Sequence, residues 1–184
     1  MHVVVHVAVS LDGATTGFEP DLRVFYALAE QFHEDVTLTG ADTILAQDLA
    51  QAPQPGPNAD GPLLLVTDRR SRIDARTLDR LRNAGHWRDA RVLTDLGELE
   101  GGIVRVDSGG ALTGALLQAD LVDEVSLLVH PVVAAGGKRW CGDAPARTFE
   151  LREATALDGG LAWLRLTCVR EGSAASPCAG SPGR

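Results

Sequence analysis

Glycine pairs and polar side chains follow several apolar segments, and these positions are the ones that could do chemistry. Gly109-Gly110 comes directly after Val106-Asp107-Ser108 and before an apolar helical pattern. Glycines at a helix start let a ligand approach the backbone closely, and the free amides there favour a phosphate. A plain strand-to-helix turn is the alternative, and a glycine pair alone does not decide between the two.

Two further turns have the same character. Thr39-Gly40-Ala41-Asp42-Thr43 ends one apolar segment, and Thr67-Asp68-Arg69-Arg70-Ser71 ends another. Ligands of open α/β sheets bind where the carboxyl ends of parallel strands meet, so we expect these turns to lie close together. Arginine in such a turn suits the 2′-phosphate that distinguishes NADPH from NADH. A solvated turn is the alternative, and it is the preferred interpretation of Arg70 and Arg72 taken singly.

Asp107 is the best single candidate for chemistry, because a carboxylate at a strand end can anchor the amino groups of a polar heterocycle. The turn Ser10-Leu11-Asp12-Gly13 could fold over a bound ring, or Asp12 could simply cap it. His6 stands among apolar neighbours and His130 precedes Pro131, so both are favoured as structural residues.

The elements that must position these residues alternate between strands and helices. Apolar, β-branched runs predict strands at residues 3–9, 36–39, 63–67, 92–94, 103–106 and 125–133. Helical spacing predicts helices at residues 21–34 (with Asp21 as N-cap), 41–45, 74–84 and from 111 onward. Asp158-Gly159-Gly160 joins two extended segments, 149–157 and 161–169, into a hairpin. The pattern predicts an α/β fold with a mostly parallel sheet, flanking helices and a C-terminal antiparallel hairpin.

Composition excludes several classes of protein. The 184 residues, 45% hydrophobic and 23% charged, suit one domain over residues 1–171, and residues 172–184 predict a disordered tail. A net charge of −8 disfavours nucleic acid. We expect a cytoplasmic protein, because no apolar run nears the ~20 residues of a membrane span and no signal peptide is evident. Three scattered cysteines predict neither a metal site nor a disulfide framework.

Taken in order, these segments resemble the reductase domain of the bifunctional riboflavin deaminase–reductase, a relative of dihydrofolate reductase. The matching pieces are Val7–Gly13, Leu38–Thr43, Gly109–Leu112, Leu121–Val125, His130–Val133 and Gly136-Gly137. They cover roughly residues 3 to 140, and the terminal hairpin also fits. The resemblance implies a dihydrofolate-reductase-like fold, a homodimer, NADPH as cofactor, and hydride transfer to an aminopyrimidine phosphate, a 5-amino-6-(5-phosphoribosylamino)uracil reductase activity.

The resemblance also implies a set of site residues. NADPH would contact the backbone near Val9, and Thr39, Gly40 and Thr43. Its adenosine phosphate end would lie near Asp68, Arg69 and Ser71. Its diphosphate would lie on Gly109, Gly110, Ala111 and Leu112. The catalytic candidate is Asp107, and the substrate-binding candidates are His6, Ser10, Asp12 and Gln31.

Departures from the family concern mostly the substrate. His6 stands where a lysine is expected, Asp107 where a glutamate is, and Gln31 where an arginine is, while Gln47–Pro53 lacks a phosphate-binding arginine. Each charge-assisted contact is worth about 1.5–3 kcal/mol. We therefore expect the substrate not to be the phosphorylated riboflavin intermediate.

A second departure concerns the cofactor. Only residues 94–103 separate Leu93 from Val104, so the helix that the family places there has no room. Two hypotheses follow. The first is an NADPH-dependent reductase of a small heterocyclic or carbonyl compound, a pterin-like ring included. The second is a nucleotide- or ligand-binding protein that has kept the fold and lost turnover.

Overall fold

The computed structural model describes residues 1–47, 49 and 51–170, and the predicted tail lies outside them. Their strands are β1 (His2–Ser10), β2 (Val36–Gly40), β3 (Leu63–Thr67), β4 (Asp89–Leu93), β5 (Ile103–Val106), β6 (Glu124–His130), β7 (Phe149–Ala156) and β8 (Ala162–Cys168). Their α-helices are α1 (Leu22–Ala29), α2 (Ala41–Leu45), α3 (Ala75–Arg82) and α4 (Ala111–Gln118).

One sheet joins the strands in the order β4-β3-β2-β5-β1-β6-β8-β7. The first six pair in parallel, whereas β8 runs antiparallel to both β6 and β7. The predicted fold class, including the C-terminal hairpin, is therefore confirmed. Because β1 to β5 are parallel, the turns after them meet at one edge of the sheet.

Both faces of the central strands are covered, which explains their nearly continuous apolar sequences. On one face Val5, Val7 and Val9 of β1 pack with Leu116 and Leu117 of α4. The opposite face packs against α1, whose Phe25 and Leu28 belong to another apolar cluster with Trp163 of β8. The two layers hold the carboxyl edge of the sheet rigidly.

Helix α1 begins as predicted and ends earlier than predicted. Asp21 is its N-cap and accepts a hydrogen bond from the Val24 amide at 3.0 Å. The α-helix stops at Ala29, a 3₁₀ turn covers Glu30–Phe32, and His33 then takes a left-handed conformation with φ 47°. That residue breaks the helical hydrogen-bond pattern, so the prediction of a helix to residue 34 was wrong.

The strand β4 spans Asp89–Leu93, so its predicted position at residues 92–94 was three residues late at the start. Between β4 and β5 the chain makes only one 3₁₀ turn, Leu96–Glu98, with Asp95 accepting from the Gly97 amide at 2.8 Å. Strand β6 stops at His130, because Pro131 offers no amide to continue the ladder.

Candidate functional site

A groove of about 1150 Å³ runs along the carboxyl edge of the sheet. One part, which we call the glycine end, is formed by the turns after β2, β3, β4 and β5. The other part, which we call the aromatic end, is formed by Pro20, Leu22, Phe25 and Tyr26 with Asp107. The groove thus joins a turn-rich surface to an aromatic surface beside an acid.

Backbone conformation and close packing explain why glycines occupy the glycine end. Gly110 is the N-cap of α4 with φ 64°, a conformation that side chains other than glycine rarely adopt. A Cβ on Gly109 would lie 2.9 Å from Cγ2 of Thr15. Ser108 Oγ and Thr43 Oγ1 are 3.2 Å apart, so the turns after β2 and β5 are bonded to each other. The predicted contact residues of these two turns are brought together.

The basic turn after β3 is held by Asp68. This buried carboxylate accepts from the amides of Ile73, at 2.7 Å, and Arg70, at 3.3 Å. Asp68 therefore shapes the turn and lies outside the groove lining, as does the exposed Ser71, whose φ is 50°. Arg69 and Arg70 line the groove, and neither has an ion pair within the described residues.

A third arginine of this turn, Arg72, already forms ion pairs with two aspartates. Its Nη1 donates to Oδ1 of Asp42 at 2.6 Å, and its Nε lies 3.6 Å from Asp68. The hydrogen bond and charge of Arg72 hold the pKa of Asp42 below its ordinary value. The positive charge that this turn leaves open to a ligand therefore comes from Arg69 and Arg70.

Asp107 belongs to the aromatic end, and 29% of its side chain is exposed. Its amide donates to Leu38 O at 2.9 Å, and its carbonyl accepts from Thr39 Oγ1 at 3.0 Å. Burial raises the pKa of its carboxyl, Arg105 opposes this rise, and Glu34 adds to it. Asp107 is thus a fixed carboxyl that holds its proton to higher pH than an ordinary aspartate.

His6 lies on the floor of the groove, buried completely and stacked on Phe25 with ring centroids 4.2 Å apart. Its Nε2 lies 3.0 Å from Phe25 O and its Nδ1 lies 2.9 Å from Ser126 Oγ. Since a carbonyl only accepts, Nε2 carries the hydrogen and Nδ1 accepts from Ser126, which itself accepts from Trp163 Nε1. Burial lowers the pKa of His6 to about 4, so the ring is neutral.

The other predicted substrate residues lie outside the groove lining. Gln31 is exposed on the 3₁₀ turn after α1. Ser10 is buried and donates to Asp12 Oδ1 at 2.7 Å, and the same oxygen accepts from the Ala134 amide at 2.9 Å. Asp12 therefore caps its own turn and ties it to the segment after β6, which was the alternative interpretation.

Two predicted cofactor residues lie buried beneath the site. Val9 and Thr39 are buried and do not line the groove. Gly40, Thr43, Arg69 and the segment Gly109–Leu112 do line it. Some of the predicted cofactor-binding residues therefore line the groove, and the others are buried beneath the lining.

Several lining or supporting residues were missed by the sequence analysis. Lys138 lines the glycine end, and its amide donates to Thr16 Oγ1 at 2.8 Å. Arg105 is buried beneath Asp107 in strand β5. A charged residue inside the apolar run Ile103–Val106 was a signal that could have found it.

Two further findings concern the described residues. Their helices are all too short or too polar to cross a membrane. No group of three or more His, Cys, Asp or Glu side chains in this part of the chain is arranged to hold a metal ion.

The sheet order and the groove define a dihydrofolate-reductase-like domain of the oxidoreductase class. The chain belongs to the RibD C-terminal domain family, whose model matches residues 1–163. No curated protein matches the chain.

Solved structures share the fold at low sequence identity. RibD of Acinetobacter baumannii is 20% identical with a TM-score of 0.65, and the match covers 91% of this chain and 58% of that one. The chain thus spans little more than half of that protein. The Saccharomyces cerevisiae riboflavin biosynthesis reductase Rib7 is 18% identical with a TM-score of 0.60, covering 91% and 90%. Dihydrofolate reductase of Enterococcus faecalis, solved with NADP(H), is 10% identical with a TM-score of 0.61, covering 91% and 96%.

Proposed function

We propose that this protein is an NADPH-dependent reductase of a small, unphosphorylated heterocyclic or carbonyl compound. The observation that carries the proposal is a single groove with glycine turns and unpaired arginines at one end and the carboxyl of Asp107 at the other. A nucleotide and a small ring could lie in it side by side.

The glycine end fits the phosphates of NADPH. Gly109 and Gly110 bring the backbone of the α4 N-terminus to the groove surface without a Cβ, and Lys138 adds a positive charge there. Arg69 and Arg70 suit a 2′-phosphate. When bound, NADPH would supply a hydride to the substrate.

The aromatic end fits a planar, uncharged ring. Phe25 and Tyr26 offer stacking surfaces, and Asp107 offers a hydrogen bond from its carboxyl. The cations that line the described groove, Arg69, Arg70, Arg72 and Lys138, are residues of the glycine end. A ribose phosphate at the aromatic end would lack a charged partner, which supports an unphosphorylated substrate.

The first test is a titration that follows NADPH fluorescence, with NADH for comparison. We expect preferential NADPH binding that weakens about 10-fold or more in Arg69→Ala, because one charge-assisted contact is lost. Arg23→Ala is the matched control, since Arg23 is exposed on α1 outside the groove lining. Equal binding of NADPH by both variants, or no binding by the wild type, would contradict the proposal.

Turnover distinguishes the two hypotheses that the sequence left open. A screen of carbonyl compounds and amino-heterocycles, monitored by NADPH absorbance, should give oxidation with at least one substrate class. Tight NADPH binding with no turnover of any class would favour the binding protein that has lost activity.

A further inference from the structure

A buried ion pair lies directly beneath the aromatic end. Arg105 Nε donates to Glu34 Oε1 at 2.7 Å, and the two side chains are 8% and 11% exposed. Arg105 Nη1 lies 3.4 Å from Oδ2 of Asp107, and within the described residues it has no hydrogen-bond partner. We propose that Glu34 and Arg105 are positioning residues for Asp107, which orient its carboxyl and control the charge that it carries.

The backbone geometry supports this role. Arg105 of β5 pairs with Val4 of β1, on the sheet face of His6 that Phe25 of α1 covers. Asp107 directly follows β5, and its carboxylate lies 3.4 Å from Arg105. Glu34 follows the 3₁₀ turn after α1 and reaches the same place from 71 residues away. The ion pair therefore joins the segment after α1 to the strand that carries Asp107.

The charges around Asp107 oppose one another. Arg105 of β5 favours the ionised carboxyl, whereas Glu34 and burial disfavour it. Tyr26 faces Asp107 from α1, and burial, followed by the Asp107 charge, raises the pKa of this phenol. His6 of β1 is near Arg105 and neutral. Without Glu34, the charge of Arg105 would act on Asp107 alone and hold it as a carboxylate.

The consequence for reduction rests on the proposed function. NADPH would supply a hydride to the carbon of a C=N or C=O bond and would be converted to NADP⁺. Asp107 would donate its proton to the nitrogen or oxygen that takes the π electron pair. Arg105 would stabilise the carboxylate that remains, which would regain a proton from water, to which its side chain is partly open. The Glu34–Arg105 pair thus permits both the protonated and the ionised form of the Asp107 carboxyl.

The test uses Tyr26, the one tyrosine of the sequence. In protein labelled with [¹³Cζ]tyrosine, a single resonance followed from pH 3 to pH 9 reports the charge of Asp107, and Asp107→Asn should abolish that step. Glu34→Gln should move its midpoint to lower pH and Arg105→Met to higher pH, each by about 1 pH unit or more. Arg105→Lys, which keeps the charge, should restore a midpoint near that of the wild type.

A matched control comes from another ion pair. Glu124 bonds Arg165 at 2.6 Å between β6 and β8, outside the groove lining, so Glu124→Gln should leave the midpoint unchanged. Midpoints that do not move, or that move in the same direction in Glu34→Gln and Arg105→Met, would overturn the proposal. If Arg105→Met does not fold, the direction of the Glu34→Gln shift alone decides.

The experiment needs neither cofactor nor substrate. NADPH binding measured in parallel should be unchanged in Glu34→Gln, because Glu34 lies beneath the aromatic end, outside the groove lining. Failure of the proposed function would appear in the NADPH titration, and failure of this inference would appear in the tyrosine resonance.

Discussion

The burial of His6 makes the stability of the protein depend on pH. Its pKa is about 4 in the folded chain against an ordinary 6.5, because burial disfavours the charged ring. The unfolded state therefore binds more protons between these values. The contribution of His6 to the free energy of unfolding is fully present above pH 6.5. It is lost as the pH falls toward 4, which lowers that free energy by at most about 3 kcal/mol.

We expect His6→Gln to be less stable than the wild type at pH 7.5 and to lose less stability on going to pH 5. Urea unfolding at the two pH values measures this. Carboxyls such as Asp107 titrate in both proteins. The difference between the two changes in the free energy of unfolding therefore reports His6 alone. Equal losses in both proteins would show that His6 does not carry the effect.

At the residue scale, the sequence predicted Asp107 as a site residue and did not predict the ion pair beneath it. Asp107 follows an apolar strand and precedes two glycines, which is a local signal. Glu34 and Arg105 meet only in the folded chain, 71 positions apart, and no spacing rule relates them. Asp68 shows the opposite case, because the resemblance implied a ligand contact for it and its carboxylate accepts from the turn's own amides.

At the scale of elements, the turn before α4 combines a glycine conformation with a position at the groove. Gly110 has φ 64° at the groove, and Gly159 has φ 73° in the β7–β8 turn, where a Cβ would meet nothing within 4 Å. Alanine at either position costs about 1–3 kcal/mol of backbone strain. We expect Gly110→Ala and Gly159→Ala to lower the melting temperature similarly.

Only Gly110→Ala should weaken NADPH binding, by about 10-fold, because its strain moves the amides that face the groove. Calorimetric unfolding and the fluorescence titration measure the two effects on the same samples. Equal NADPH affinity in both variants would show that the turn before α4 does not hold the nucleotide.

Strands were predicted better than helix ends. Long β-branched runs such as residues 3–9 are typical of strands buried on both faces, and β1 occupies them. The end of α1 depends on His33 in a left-handed conformation, which no apolar spacing reveals. The short 3₁₀ turn between β4 and β5 follows directly from the ten residues available there.

At the scale of the whole molecule, the resemblance predicts a homodimer. Large apolar side chains remain exposed in the single chain, including Val133 at 71%, Leu11 at 64% and Leu151 at 59%. Light scattering of the purified protein should therefore give about twice the chain mass of 19.4 kDa. A mass near 19.4 kDa at micromolar concentrations would contradict the prediction.

The hydrogen bonds from Trp163 through Ser126 and His6 to the Phe25 carbonyl have a consequence for biosynthesis. Trp163 lies in β8, the last strand in the sequence, whereas Phe25 belongs to the first helix. A nascent chain on the ribosome can pair β1 with β5 and β6 before β8 emerges from the exit tunnel. Phe25, which lines the groove, shares an apolar cluster with Trp163, so this wall is fully packed only when the final strand has been made, and a prematurely terminated chain would carry an unfinished cleft.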